Sequence, residues 1–273
     1  MRDPGLVPPS DRPFDFTIDI YGNKYIGNTG DFVDARILYN GAFEKAHLFF
    51  IKDCLQAFPE STFLDIGANT GQHSMFASKY AREVHAIEPY EPVLARFRKM
   101  IALNNISNIT IHPVGFGREN AELPFEEPPA NNLGMGSFVL DNDMNRARRT
   151  LKIVKGDDEL LQSDVRDISI VKIDVEGFEK PVLEGLKKTL ERDRPIVVFE
   201  VTPRKGESFN SAEELKSVFP KDYELYSFWE LSPYVPNYQI ASLRYYDFKG
   251  TKQGELVAIP LEKKEKISFS FKQ

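Results

Sequence analysis

The chain predicts an α/β fold built on a mostly parallel, doubly wound sheet, and three features carry that expectation. Short apolar strands alternate with helices of about ten residues from Thr62 onwards, the pattern of repeated βαβ units whose sheet is covered on both faces. Between Phe116 and Lys155 this rhythm breaks into sequence containing Pro, Asn and Gly, which marks a β-rich insertion. Near the end, Tyr223 to Trp229 and Glu255 to Leu261 read as two strands with no helical pattern between them, so they should pair antiparallel at the sheet edge.

Taken in order, Phe14 to Ile20 alternates apolar and polar residues, and Gly22-Asn23 precedes Lys24-Tyr25-Ile26, the pattern of a small hairpin forming an N-terminal flap. Phe43, Ala46, Phe50, Ile51, Cys54 and Leu55 fall at helical spacing within a helix from Glu44 to Phe58, stopped by Pro59. Residues 1–60 thus lead into a core spanning 61–273, interrupted at about 116–155. The core reads as a strand at Thr62–Ile66, a helix at Gly71–Tyr80, a strand at Val84–Ile87, a helix at Glu91–Leu103 with Pro92 in its first turn, and a strand at Ile109–Val114. In the insertion, Ala121–Phe125, Ser137–Leu140 and Leu151–Val154 are strand-like. The rhythm resumes with a helix at Asp157–Gln162, a strand at Ile168–Ile173, a helix at Glu179–Glu191 and a strand at Pro195–Glu200. Ser211 and Glu214 then form a capping box for a helix ending near Phe219.

Composition bounds the function. The 273 residues carry 35 Lys and Arg against 41 Asp and Glu, a net charge of −6, which disfavours general binding to a phosphate backbone. With 41% apolar and 28% charged residues, the chain closes a sizeable core and is not of disordered composition. Cys54 is the only cysteine, so no intramolecular disulfide or thiolate metal cluster forms within one chain. The N-terminus has no apolar signal core, and no run approaches the ~20 apolar residues that span a bilayer. A cytoplasmic protein with no nucleic-acid or membrane partner is expected.

The sharpest stretch is Phe63-Leu-Asp-Ile-Gly-Ala-Asn-Thr-Gly71, an apolar strand running into a glycine-containing turn that opens a helix. Such a turn lets backbone approach a ligand closely and presents the helix start to a carboxylate or phosphate. Glu88, in Ile87-Glu88-Pro89, lies 21 residues after Gly67, a distance suited to an acid that accepts hydrogen bonds from two ribose hydroxyls. A dinucleotide fold spaces its glycines GxGxxG, whereas this turn reads Gly67-x-Asn69-x-Gly71. That spacing and the antiparallel pair after the fifth parallel strand resemble the seven-stranded methyltransferase sheet more than a dehydrogenase, making S-adenosylmethionine the better candidate than NAD.

The sequence resembles the FkbM-type S-adenosylmethionine-dependent methyltransferases. The resemblance is carried by LDIGANTG (64–71), HAIEPYEPV (85–93), LGMGSF (133–138), VKIDVEGFEKPVLEG (171–185) and RPIVVFEV (194–201), in the family's order. It implies a Rossmann-like class I fold in which Asp65, Gly67, Ala68, Asn69 and Gly71 frame the methionine end of the cofactor, Glu88 and Pro89 hold its ribose, and Val114, Gly115 and Phe116 contact adenine. His73 stands where relatives often carry an aromatic residue, and HPVGFG lacks the acid that many methyltransferases place against the adenine amino group.

In Lys172-Ile-Asp174-Val-Glu176-Gly177, residues 172, 174 and 176 share one side if strand geometry persists, at the carboxyl end of a central strand where doubly wound sheets bind ligands. Asp174 and Glu176 are candidates to face the transferred methyl, hold the acceptor hydroxyl and act as general base; Asp174 also borders the cofactor. Lys172 either joins them or forms a buried ion pair with Glu200, itself a secondary candidate. Glu44 matches a family position before the first strand. The four histidines show no metal-ligand spacing, and no metal is expected, although Asp174 with Glu176 or Glu200 offers carboxylate ligands. Arg146, Arg148, Arg149 and Lys152 form a basic cluster that is either a solvated face or a contact for an anionic acceptor. Phe228, Trp229, Tyr234, Tyr238, Tyr245 and Tyr246 would wall an acceptor pocket or pack the sheet edge. The expected reaction is O-methylation of a hydroxyl on a small metabolite or glycan; a non-catalytic partner-binding relative and an NAD-dependent oxidoreductase are the alternatives.

Overall fold

A computed structural model of the chain describes residues 12–140, 147–201, 209–229, 242–246, 254–267 and 271–272. The N-terminal hairpin forms as expected from β1 (Asp15–Ile20) and β2 (Asn23–Asn28). Two helices follow, α1 (Phe32–Asn40) and α2 (Lys45–Ala57). The first was not foreseen, although its Asp31 cap precedes it in sequence and accepts the Asp34 N–H.

The core elements are β3 (Thr62–Ile66), α3 (Gln72–Ala77), β4 (Glu83–Ile87), α4 (Glu91–Leu103) and β5 (Ile109–His112). The insertion folds into β6 (Gly115–Gly117), β7 (Ala121–Glu126) and β8 (Arg148–Lys155), a three-stranded sheet of order β6-β8-β7. Ser137 makes only an isolated bridge to Glu126, not the strand expected at 137–140. Then come α5 (Gly156–Gln162), β9 (Ile168–Ile173), α6 (Glu179–Gly185), α7 (Lys187–Asp193), β10 (Ile196–Val201) and α8 (Ala212–Ser217). The single helix expected over 179–191 is two. The chain leaves helical geometry at Leu186, and the buried Asp157 carboxylate restarts it by accepting the Lys188 and Thr189 N–H groups, both at 2.9 Å. The chain ends through β11 (Tyr223–Trp229), β12 (Ser242–Tyr245), β13 (Gly254–Pro260), α9 (Leu261–Lys264) and β14 (Phe271–Lys272).

Among the described residues the main sheet has order β14-β12-β11-β13-β10-β9-β3-β4-β5. Strands β10, β9, β3, β4 and β5 run parallel, and β13 inserts antiparallel between β10 and β11. The expected antiparallel pair is therefore present, but β12 and β14 extend the sheet beyond it. This is the class I methyltransferase arrangement, and the order differs from a dehydrogenase sheet at β13.

Side-chain alternation divides the core. Leu64, Ile66, Val171, Ile173 and Val197 pack with Leu160, Val182 and Leu183 of the α5–α6 layer. Phe63, Ile170, Ile196, Val198 and Val257 pack on the other face with Phe50, Ile51, Cys54 and Leu55 of α2. Continuing that second face towards the carboxyl ends of the parallel strands, the same parity reaches Asp65, Lys172 and Glu200, and Glu255 opposite Glu200 on β13. Four adjacent strands thus turn from apolar to charged at one end of one face. The site lies there.

Candidate active site

Backbone constraint shapes the first part of the site. Gly67 adopts φ +80°, and a Cβ there would sit 1.8 Å from the Asp174 carbonyl oxygen, so only glycine lets the β3 and β9 ends close together. Gly71 adopts φ +83°, and its Cβ would enter the Phe97 ring. The loop between them is tied to β4: the Gly67 and Ala68 N–H groups donate to the Ile87 carbonyl. The Asn69 N–H donates to Glu88 Oε2 at 3.0 Å, and the Tyr90 N–H to Glu88 Oε1 at 2.8 Å. Glu88 is buried, and burial lifts its carboxyl to about pKa 7 against the lowering effect of those two bonds. Each oxygen still has a lone pair, so the carboxylate can receive two hydroxyls.

The hairpin supports this loop from behind. Asp34 is fully buried, accepts two hydrogen bonds from Arg96 (2.6 and 3.0 Å), and also accepts from Tyr25 OH and the Asn28 N–H. The Tyr25 hydroxyl lies 3.0 Å from Thr70 Oγ1 in the loop. Asp31 accepts the Leu133 N–H at 2.7 Å and so fixes the LGMG segment beside α1.

These parts enclose a cavity of about 370 Å³, within the range of small-molecule sites. Tyr90, Phe125 and Phe138 supply aromatic wall, while α1 contributes Phe32 and Val33. Asn69 Oδ1, on the cavity wall, is a buried polar atom without a hydrogen-bond partner. It fits a ligand that brings donors, as the amino-acid end of S-adenosylmethionine does. Glu88 fits its ribose, and the aromatic wall fits a purine.

The far end of the cavity is charged. Lys172 Nζ pairs with Asp174 Oδ2 at 2.9 Å, so the lysine joins the Asp174 carboxylate at the cavity. Burial disfavours the Lys172 charge, but Asp174, Glu44 and Asp65 outweigh it and raise the pKa. The strand stops at Ile173 and Glu176 takes φ +52°, so the expected three-residue alignment along β9 does not persist. The carboxylates of Asp174, Glu176 and Glu200 nevertheless gather, their ligand atoms within 4.8 Å of one another.

Beside them, His47 Nε2 is in short contact with Glu255 Oε2. Its Nδ1 lies 3.3 Å from Glu44 Oε2, and His73 Nε2 lies 3.5 Å from the same oxygen, both outside hydrogen-bond geometry. Burial alone would favour neutral His47, but Glu255 and Glu44 prevail and raise its pKa to about 10. Burial, with Lys172 and His47 nearby, drives His73 well below the ordinary imidazole value.

The structure brings Gly67, Ala68, Asn69, Glu88 and Pro89 onto the cavity wall with Lys172, Asp174 and Glu176. Asp65 lies beneath the wall, with Oδ2 accepting from Ser74 Oγ at 2.5 Å, and Gly71 packs against Phe97. Val114 and Gly115 do not line the cavity. Strand β5 stops at His112, Val114 joins the hydrophobic core, and Gly115 starts β6 against β8. The basic cluster is partly absorbed by ion pairs, Arg148 with Glu126 and Arg149 with Glu127, while Arg146 lies outside the described residues. Phe228 packs on His47 and Phe50, and Tyr246 on the main core. Tyr234, Tyr238 and the side chains of Trp229 and Tyr245 lie outside the described residues. Sequence reasoning missed Phe32, Val33, Tyr90, Phe125 and Glu255 as cavity residues, and the meeting of His47 with His73. No local spacing announces these, because they meet only through the tertiary fold.

Comparison with known proteins finds methyltransferases. "Methyltransferase 1" of Beauveria bassiana is 29% identical over 160 residues, which are 50% of this chain and 64% of that protein. "Hexuronic acid methyltransferase AglP" of Haloferax volcanii is 25% identical over 145 residues, 52% of this chain and 57% of that protein. The chain thus spans about six tenths of the length of these curated relatives. A crystal structure of an S-adenosylmethionine-dependent methyltransferase from Agrobacterium tumefaciens superposes with a TM-score of 0.50 at 9% identity, covering 90% of this chain and 70% of that one, a likeness of fold alone. No described helix is long and apolar enough to cross a membrane. The methyltransferase FkbM domain matches residues 65–228, more than half of the chain and including Glu88, Lys172 and Asp174, and the chain belongs to that family.

Proposed function

We propose that the protein is an S-adenosylmethionine-dependent methyltransferase that methylates a hydroxyl of a small metabolite or sugar. The observation that carries this reading is one cavity joining Glu88, held by two backbone N–H groups, to Asp174, held by Lys172. When bound, the cofactor supplies an activated methyl group on a sulfonium.

The protein's own residues bind, orient and deprotonate. Glu88 accepts the ribose hydroxyls, Asn69 Oδ1 accepts from the amino-acid end, and the aromatic wall excludes water from the purine. At the other end Asp174 accepts the acceptor hydroxyl and takes its proton as the oxygen attacks, with Glu176 as the neighbouring carboxylate. Lys172 is a positioning residue that fixes the Asp174 carboxylate. The acceptor end is rich in carboxylates, which accept hydrogen bonds from hydroxyls and repel anions, so a polyhydroxylated neutral acceptor is favoured over an acidic one. The AglP name supports a sugar as acceptor class, while the hexuronic acid it names is an anion that this carboxylate-rich end disfavours.

The test is incubation with methyl-labelled S-adenosylmethionine and a panel of free sugars, glycosides and polyols, reading label in product. Asp174→Asn is expected to lower turnover by about 100-fold or more while changing S-adenosylhomocysteine affinity less than about fivefold. Equal losses in both would make Asp174 a cofactor-binding residue and remove its role as base.

A further inference from the structure

Glu44, His47 and His73 come from two elements that the sequence places far apart, the entry of α2 and the start of α3, and their side chains converge beside the cavity. Their ligand atoms lie within 4.8 Å of one another. Within the group, Glu44 Oε2 is 3.3 Å from His47 Nδ1 and 3.5 Å from His73 Nε2. Ligands bonded at ~2.1 Å in a tetrahedral zinc site stand about 3.4 Å apart, so the two separations from Glu44 match a coordination shell, and the two imidazole nitrogens lie within 4.8 Å of each other.

Three further observations point to a ligand. His47 Nδ1 and His73 Nε2 are buried nitrogens that share Glu44 Oε2 as neighbour without a well-aligned hydrogen bond, on residues 3% and 8% exposed. Glu255 contacts the opposite nitrogen of His47, the outer carboxylate arrangement that leaves Nδ1 as the metal-facing atom. Carboxylates also outnumber cations here: Glu44, Glu255, Asp65 and Asp174 surround Lys172.

We propose that Glu44, His47 and His73 form a divalent-cation site of the zinc class, with Glu255 as the outer partner of His47 and an open coordination position on the cavity. Both Glu44 and His73 line the cavity, so the open position reaches the end assigned to the acceptor and takes an oxygen ligand, water or an acceptor hydroxyl. The site stands whether or not methyl transfer is the activity, since it is defined by the ion alone.

The experiment uses the full chain, stripped with chelator and titrated with Co²⁺ alone, read by visible absorption and followed by displacement with Zn²⁺. One equivalent should bind, with the intense bands of a four-coordinate nitrogen-containing site, and Zn²⁺ should abolish them. His73→Ala and Glu44→Gln should each weaken binding by about 100-fold, and Glu255→Gln by about 10-fold, with unchanged circular dichroism. Because His47 is deeply packed and its variants risk unfolding, His73→Ala, at the cavity wall, is the deciding substitution. Absence of binding to the folded wild type overturns the proposal. So does binding retained in both His73→Ala and Glu44→Gln, or binding lost only in Asp174→Asn or Glu200→Gln, which would place the ion on the other carboxylates.

Discussion

The two ends of the cavity are built in different ways. At the Gly67–Glu88 end the wall is backbone, and its one acid is clamped by two N–H groups. At the Glu44–Glu255 end the wall is long charged side chains from α2, α3, β9, β10 and β13, with buried imidazole nitrogens near Glu44 that make no well-aligned hydrogen bond. The first end is preorganised for one ligand whatever the acceptor, and the second holds its polar groups ready for something yet to arrive. A shared cofactor and a variable acceptor call for that division.

The contrast breaks most sharply at Gly67. Gly67→Ala pushes a Cβ into the Asp174 carbonyl at positive φ and is expected to cost about 3 kcal/mol or more and to abolish S-adenosylhomocysteine binding. Calorimetry and thermal melting check both. Asp34→Ala leaves Arg96 buried without its carboxylate, and the expected cost of about 3–5 kcal/mol should appear as a lowered Tm with loosened cofactor binding, because Tyr25 and Thr70 lose their anchor.

Glu88→Ala tests a side chain at the backbone-built end. Loss of two hydrogen bonds to a charged acceptor should weaken S-adenosylhomocysteine binding by about 100-fold, read by calorimetry. In the wild type the pKa of about 7 means that ribose binding favours the ionised form, so affinity should rise with pH by up to about tenfold per unit below pH 7 and level off above it. Glu88→Gln should flatten that dependence.

The smallest effect concerns Glu179, the buried carboxyl that holds the turn after Asp174 by accepting the Val175 and Gly177 N–H groups. Burial raises its pKa from 4.5 to about 8. The native state therefore binds more protons than the unfolded state between these values, so this group's contribution makes stability fall as pH rises through that window. Glu179→Gln should reduce the slope, measured as Tm against pH.

What the sequence made legible follows the same division. Gly67 and Gly71 leave a mark because no other residue fits, and the parallel strands leave one because they are buried on both faces. Glu88 was readable from its distance to the turn. The charged end was readable at Lys172, Asp174 and Glu176, neighbours along one segment, with Glu200 and Glu44 as secondary candidates. Even there the pairing of Lys172 with Asp174 is set by side-chain reach at the point where the strand ends, which spacing does not give. His47 with His73 and Glu255 is a meeting across three elements, for which one-dimensional spacing carries no signal. The shift of the aromatic wall from Val114 and Gly115 to Tyr90, Phe125 and Phe138 has the same cause: the inserted sheet turns the chain away two residues early.

The central claim is that the Gly67–Gly71 loop and Glu88 grip the adenosyl and amino-acid parts of one cofactor. Titration of S-adenosylhomocysteine into folded wild type by isothermal calorimetry tests it most directly. The account predicts one saturable site, weakened about 100-fold by Glu88→Ala. No heat and no uptake by folded protein at millimolar ligand, or undiminished affinity in Glu88→Ala, would contradict it.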